Sequence, residues 1–276
     1  MGERQDKRDL IAEWQKKFHD GGIYVWNEEQ FAAVQPAKVD RLLGLFSHSA
    51  MNYDSDRKND KGGEPSLSEM TKKAIAILQK NPKGFFLMVE GGLIDVAHHK
   101  GNAYHALDET REFASAVRAA LNMTNSKDTL VIVTADHSHT LTIGGEPKRG
   151  NPILGKVIGD DSSNPKTALD GRPYTTLSYA NGPGAIAVRD AASTDRERRD
   201  LSQVDTTKPE YMQQALVPLA GESHAGEDVP VYAGGPWAHL FQRTQEQNYI
   251  FHVMRYAINA PEKSVKETKK GRKKAH

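Results

Sequence analysis

Three short segments of the chain carry carboxylate and imidazole side chains at spacings that suit metal binding. The residues are Glu90, Asp95 and His99 in the first segment, Asp136, His137 and His139 in the second, and His224 in the third. Carboxylate oxygens and imidazole nitrogens are common ligands of divalent zinc. The chain has no Cys, so thiolate ligands are excluded. We therefore expect a metal cluster built from His, Asp and Glu.

The spacing within each segment limits how its side chains are presented. Asp95 and His99 are four residues apart, so one turn of helix would place them on the same face, able to hold one ion. Asp136 and His137 are adjacent and need extended or turning backbone. Two such sets on neighbouring strand ends would hold two ions about 4 Å apart, which suits in-line displacement at phosphorus. His139 could support a ligand carboxylate without binding metal itself.

Apolar runs precede the first two segments. Residues 85–89 lead to Glu90, and residues 130–134 lead to Asp136. A short apolar run that ends at a carboxylate is typical of an α/β sheet whose site lies beyond the carboxyl ends of its strands. We therefore predict an α/β fold, with a central sheet flanked by helices and the metal site at the carboxyl ends of strands.

Periodicity, capping and turn signals indicate the remaining organisation. Ser66 and Glu69 form a capping box, which predicts that a helix begins there. Residues 144–222 are dense in Gly, Pro, Asn, Asp and Ser, so we expect a loop-rich insertion on the face that carries the site. A basic tail at 261–276 should be disordered. Helices are further predicted at 10–18, 104–121 and 250–258, and strands at 23–26, 42–46, 185–188 and 229–232.

Composition excludes other classes of protein. The formal net charge of +1 argues against a general attraction to nucleic acid, and no stretch of the 276 residues approaches the roughly 20 apolar residues of a transmembrane helix. Residues 1–8 are charged and lack a signal peptide's apolar core, and Asp6 is incompatible with a myristoylation signal, so no lipid-anchor signal is expected.

Asn122 matches the glycosylation pattern, whose use the sequence leaves open. Isolated histidines are interpreted as surface or core residues: His98, His105, His239 and His252.

In their order and flanks, the three segments resemble the metal motifs of alkaline phosphatases. The matching stretches are residues 89–99, 134–139 and 224–229, with similar flanks at 24–27, 81–86, 181–184 and 238–240. The resemblance runs from about residue 8 to residue 259. It implies a phosphate-monoester hydrolase that binds phosphate monoesters and inorganic phosphate and works outside the cell, at its surface or in the periplasm. Residues 144–222 would correspond to the family's crown, a variable region that helps to form a homodimer.

The resemblance also implies two zinc ions and one magnesium ion. The implied ligands are Asp95, His99 and His224 for the first zinc, Asp136 and His137 for part of the second, and Glu90 for part of the magnesium site. His139 would be a partner of the ligand Asp95. In the family's calcium-site region, Ser47 replaces a carboxylate, whereas Glu64 could match another ligand.

The chain departs from the family in its catalytic residues. Family members carry a Ser nucleophile in an Asp-Ser-Ala motif, a phosphate-binding Arg and an Asp that bridges the second zinc and magnesium, and none of these is recognisable here. The His-Ser-Ala triplet at 48–50 is not a substitute. We therefore interpret residues 1–260 as the C-terminal portion of such an enzyme, nearly inactive alone. The alternatives are a catalytically inactive metal-binding fragment and a related metal-dependent phosphomutase or sulfatase.

Overall fold

The computed structural model describes residues 4–185 and 198–259. The chain divides into two compact units. The first comprises Met1–Ala120 and Ser138–Gly226, and the second comprises Leu121–His137 and Glu227–His276. The predicted basic tail at 261–276 lies outside the described residues, as do residues 186–188 of one predicted strand.

Six α-helices occur in the described part of the chain. They are α1 (Leu10–Lys17), α2 (Glu28–Ala33), α3 (Leu67–Leu78), α4 (Leu93–His99), α5 (Ala103–Met123) and α6 (Tyr249–Asn259). The predicted capping box is confirmed at the start of α3, where the Ser66 hydroxyl accepts from the Glu69 backbone and the Glu69 carboxylate accepts from the Ser66 backbone. None of these helices combines the length and apolar character needed to cross a membrane.

The strands are short. They are β1 (Gly22–Val25), β2 (Arg41–Gly44), β3 (Val131–Val133), β4 (Ser138–His139), β5 (Leu141–Ile143), β6 (Leu177–Gly182), β7 (Ala215–Pro218), β8 (His224–Ala225) and β9 (Tyr232–Gly234). The first unit contains the parallel pair β1–β2, the antiparallel pair β4–β8 and the three-stranded sheet β5–β6–β7. The second unit contains the antiparallel pair β3–β9.

A hydrophobic core in the first unit lies beneath the β1–β2 pair. Its buried members are Val25, Phe31, Val34, Val39 and Ile77. These side chains come from the strand, from α2 and the turn after it, and from the apolar face of α3. Burial of this kind stabilises a domain in proportion to the apolar area removed from water, so this core anchors the N-terminal part of the unit.

The predicted central sheet requires correction, because the described residues form a mixed α/β fold with four small sheets. Residues 85–89, predicted as a strand, pair with no other strand in the described part of the chain. Phe86 and Met88 on this segment are 60% and 68% exposed. The sequence has the short apolar run typical of a buried strand, but a strand also needs a neighbour to accept its backbone hydrogen bonds.

The insertion predicted at 144–222 is rich in turns but contains more strand than expected. β6 and β7 both lie within it, and they pair in parallel, with Tyr179 opposite Ala215. β6 is bounded by turn residues and alternates between buried and partly exposed positions, with Leu177 and Tyr179 buried. This element positions two side chains behind the site described next.

Candidate metal centre

The first pair of predicted ligands lies on α4. Asp95 and His99 are one helical turn apart, and His99 Nε2 lies 3.3 Å from Asp95 Oδ1. Each side chain is 37% exposed. The four-residue spacing therefore presents the carboxylate and the imidazole to one point, because positions i and i+4 of a helix share a face.

The β4–β8 pair brings two further histidines to the same point. In the antiparallel register His139 is directly opposite His224, so both side chains lie on one face of the ribbon. Their rings are 5.3 Å apart. His139 Nε2 lies 3.0 Å from Asp95 Oδ1, and His224 Nε2 lies 3.4 Å from the same oxygen. The structure thus joins residues from all three sequence segments.

Three of these donor atoms form a triangle with the dimensions of a zinc site. His99 Nε2 and His224 Nε2 are 3.1 Å apart, and they lie 3.3 and 3.4 Å from Asp95 Oδ1. Ligand atoms about 2.0–2.1 Å from a tetrahedral zinc ion are about 3.3 Å from one another. The triangle therefore fits one face of a coordination tetrahedron.

Asp136 and His137 lie in the second unit, where the chain has just left β3. His137 Nε2 is 3.5 Å from Asp136 Oδ2, and the Asp136 carboxylate is almost fully exposed. Nearby in the same unit, the Thr134 hydroxyl donates to the Pro230 carbonyl at 3.2 Å. The adjacent carboxylate and imidazole thus follow a strand end. The second ion, about 4 Å from the first, stays a prediction.

Glu90 lies on the segment before α4, in the wall of a cavity of about 380 Å³. Polar side chains also line this cavity, namely Asn52, Asp54, Arg57, Ser66, Glu109 and Glu112. Among the described residues, the lining includes no member of the Asp95–His99–His224 triangle. The role of Glu90 in a magnesium site stays a prediction.

Glu64, the residue that could match a calcium ligand, is buried and bonded within the protein. Its carboxylate oxygen Oε2 accepts hydrogen bonds from the Asn52 backbone at 2.8 Å and from the Asn52 side-chain amide at 3.2 Å. The Arg57 guanidinium donates to its backbone carbonyl at 2.8 Å. Glu64 therefore stabilises the loop before α3 through protein donors.

Glu222 is a buried carboxylate behind the cluster, and the sequence alone predicts no role for it. His139 Nδ1 donates to Glu222 Oε2 at 2.7 Å, and the Thr140 backbone donates to Oε1 at 2.6 Å. Burial raises the pKa of Glu222, but the hydrogen bonds from Thr140 and His139 outweigh burial and hold its pKa below the usual value. His139 is 83 residues away in the chain, so no local pattern identifies this contact. The only sequence signal is a carboxylate two residues before His224.

His98, interpreted from the sequence as a surface or core histidine, is a half-buried residue beside the cluster. Its Nδ1 hydrogen-bonds with the Tyr179 hydroxyl at 2.8 Å, and its ring stacks on His139 at 4.6 Å. Burial, reinforced by the charge of His139, lowers the pKa of His98 to about 4. Burial likewise raises the pKa of Tyr179. The half-buried His98 and the buried Tyr179 thus lie together behind His139.

Comparison with known proteins assigns the family. The alkaline phosphatase family model matches residues 1–260, so the chain belongs to the alkaline phosphatase family and the resemblance seen in the sequence is confirmed. The chain is 48% identical to the tissue-nonspecific alkaline phosphatase of Rattus norvegicus over 260 residues, and 45% identical to the alkaline phosphatase of Gadus morhua over 259 residues. Each match covers 93% of this chain, and 47% and 51% of the respective relative. The chain thus spans about half the length of the curated relatives it matches.

Solved structures support the fold. A cold-active alkaline phosphatase from Shewanella sp. matches with a TM-score of 0.57 and 23% identity, over 93% of this chain and 64% of that one. A TAB5 alkaline phosphatase variant with Mg bound in its M3 site matches with a TM-score of 0.56 and 23% identity, over 92% and 56%. At this level of identity the likeness concerns the fold alone.

The depressed pKa of His98 predicts a pH dependence of stability. An unfolded His titrates near pH 6.5, whereas folded His98 titrates near pH 4, so the unfolded chain binds the extra proton between these values. Stability is therefore retained above about pH 6.5 and is lost as the pH falls towards 4. Urea unfolding of chelator-treated protein at about pH 7.5 and about pH 5 should show a loss that is about 1–2 kcal/mol larger in the wild type than in His98→Asn. Equal losses in the two proteins would contradict the assignment.

Proposed function

We propose that this chain forms part of a phosphate-monoester hydrolase of the alkaline phosphatase type, in which Asp95, His99 and His224 hold a zinc ion. The observation that carries the proposal is the triangle of their donor atoms, with sides of 3.1 to 3.4 Å. Two imidazoles and one carboxylate form a ligand set found in catalytic zinc sites. Membership of the alkaline phosphatase family supports the same reaction class.

The complete site of the proposed enzyme contains two zinc ions and one magnesium ion. Asp136 and His137 are the proposed ligands of the second zinc, and Glu90 supplies a carboxylate oxygen, a donor that magnesium prefers. When bound, these ions stabilise negative charge on phosphoryl oxygens and lower the pKa of the attacking group. A homodimeric assembly involving residues 144–222, and a location outside the cytoplasm, stay predictions.

The chain's own residues have a binding and orienting role in this proposal. The Nε2 atoms of three histidines lie close to one oxygen of Asp95, Oδ1. The position of this carboxylate therefore determines the position of the whole cluster. His139 contacts this oxygen from a largely buried position, with a side chain only 8% exposed. His139 is therefore suited to orient the carboxylate, while the half-exposed His224 remains accessible to solvent and substrate.

A catalytically inactive metal-binding chain is the second candidate function. The sequence contains no Asp-Ser-Ala motif to supply the nucleophile of the family reaction. The third possibility, a phosphomutase or sulfatase, is disfavoured, because relatives at 45–48% identity are alkaline phosphatases. Activity distinguishes the first two candidates, and metal binding is common to both.

Removal of one proposed zinc ligand should weaken metal binding. His224→Ala opens the triangle of donor atoms, so the zinc affinity of the chelator-treated chain should fall by about tenfold or more. Equilibrium dialysis measures both affinity and stoichiometry. His252→Ala, an exposed histidine on α6, is the control and should bind zinc like the wild type. The same affinity and stoichiometry in His224→Ala and wild type would contradict the proposed ligand set.

The isolated chain should be a very poor phosphatase. Catalytic groups that act together fail together, and the nucleophile and phosphate-binding Arg of the family are not recognisable in this sequence. With added zinc and magnesium near pH 9, we expect hydrolysis of p-nitrophenyl phosphate at less than about a thousandth of the rate of a full-length relative. His224→Ala controls for contaminating enzymes. Rapid turnover that this substitution abolishes would reveal a nucleophile within the chain.

A further inference from the structure

The carboxylate of Glu222 is held in one orientation by three hydrogen bonds. Its side chain is fully buried, with 0% exposure. Oε1 accepts from the Thr140 backbone at 2.6 Å and from the Thr140 hydroxyl at 2.7 Å, while Oε2 accepts from His139 Nδ1 at 2.7 Å. Burial of a carboxylate is costly unless donors replace its water. Here both oxygens have donors, so the carboxylate is fixed as well as satisfied.

The backbone of the same residue fixes a second histidine. The Glu222 amide donates to the His99 carbonyl at 2.9 Å, and the His99 ring donates from Nδ1 to the Glu222 carbonyl at 2.5 Å. His99 is therefore bonded to one residue through both its main chain and its ring. With Nδ1 engaged in this way, Nε2 is the nitrogen turned towards Asp95 Oδ1.

The segment that carries Glu222 is itself held by the end of β6. The Asn181 side chain donates to the Ser223 hydroxyl at 2.8 Å and accepts from the Ser223 backbone at 2.9 Å. Gly182 has a φ of 136°, and a Cβ there would lie 3.2 Å from the Glu222 Cβ. This close approach leaves Glu222 little freedom to move, and β8 with His224 begins two residues later.

We propose that Glu222 is the positioning residue of the metal centre: its carboxylate orients His139 and its carbonyl orients His99, so that both rings direct Nε2 towards Asp95. This inference rests on the proposed function, because it assumes that Asp95, His99 and His224 hold a metal ion. Histidines around a metal characteristically donate their second nitrogen to a carboxylate or a backbone carbonyl. Glu222 supplies both kinds of acceptor from one residue.

The test compares Glu222→Gln with a matched substitution elsewhere. The amide keeps the size of the side chain but removes its negative charge and one acceptor oxygen, so zinc affinity should fall about 10- to 100-fold. Glu109→Gln is the control, since Glu109 is also a buried carboxylate that accepts from a backbone amide, that of Asp54 at 2.6 Å. We expect it to retain wild-type zinc affinity.

Two readouts other than activity are needed. Zinc affinity is measured by competition with a chelator, and the absorption of the cobalt(II)-substituted chain reports whether a tetrahedral site forms. Glu222→Gln should lower the zinc affinity and weaken the absorption of the tetrahedral cobalt(II) site. Its circular dichroism should match that of Glu109→Gln, which shows that the variant is folded. Wild-type zinc affinity and cobalt spectrum in folded Glu222→Gln would overturn the inference alone. Failure of the wild type to bind zinc would overturn the proposed function, and the inference with it.

A second pair of variants decides the question if Glu222→Gln does not fold. Thr140→Val removes the hydroxyl that donates to the Glu222 carboxylate, whereas Thr140→Ser retains a hydroxyl. The proposal predicts zinc binding weakened severalfold in Thr140→Val and restored in Thr140→Ser. Equal affinity in the two variants would show that fixing the Glu222 carboxylate does not matter to the metal centre.

Discussion

The pairing of β4 with β8 is the constraint on which the candidate metal centre depends. The ladder contains only two residue pairs, one of which sets His139 opposite His224. So short a ladder has little stability of its own, since even an isolated two-stranded hairpin is marginal in water. Two hydrogen bonds supply the missing restraint: the Thr140 amide donates to the Glu222 carboxylate, and the Glu222 amide donates to the His99 carbonyl. They connect the segment just before β8 to the residue after β4 and to the end of α4.

Most of the helices, though not α2, could be predicted from the sequence because their signals are local. Ser66 and Glu69 are three residues apart, and together they mark the start of α3 without reference to the rest of the chain. The same holds for Asp95 and His99, whose spacing alone places them on one face of α4. At these two positions, residues close together in the sequence determine the local conformation, and the prediction agrees with the structure.

The sheets and the buried acceptor could not be predicted in the same way. Residues 85–89 have a strand-like pattern, yet the pairing of a strand is decided by a partner elsewhere in the chain. Glu222 looks like an ordinary surface carboxylate in the sequence, whereas in the structure it is buried among distant residues that include His139 and Thr140, more than 80 residues away. Residue types, their spacing and the family resemblance identified the candidate ligands, whereas the contacts of Glu222 with His139 and His99 emerged only from the three-dimensional arrangement.

The most direct test of the account is zinc K-edge X-ray absorption of the chain loaded with an equimolar amount of zinc. If Asp95, His99 and His224 hold the ion, the first shell contains about four nitrogen or oxygen atoms at about 2.0–2.1 Å. Outer-shell scattering from two imidazoles accompanies it. A shell of about six oxygens without imidazole scattering would contradict the account, because the ion would then be bound by water and surface carboxylates.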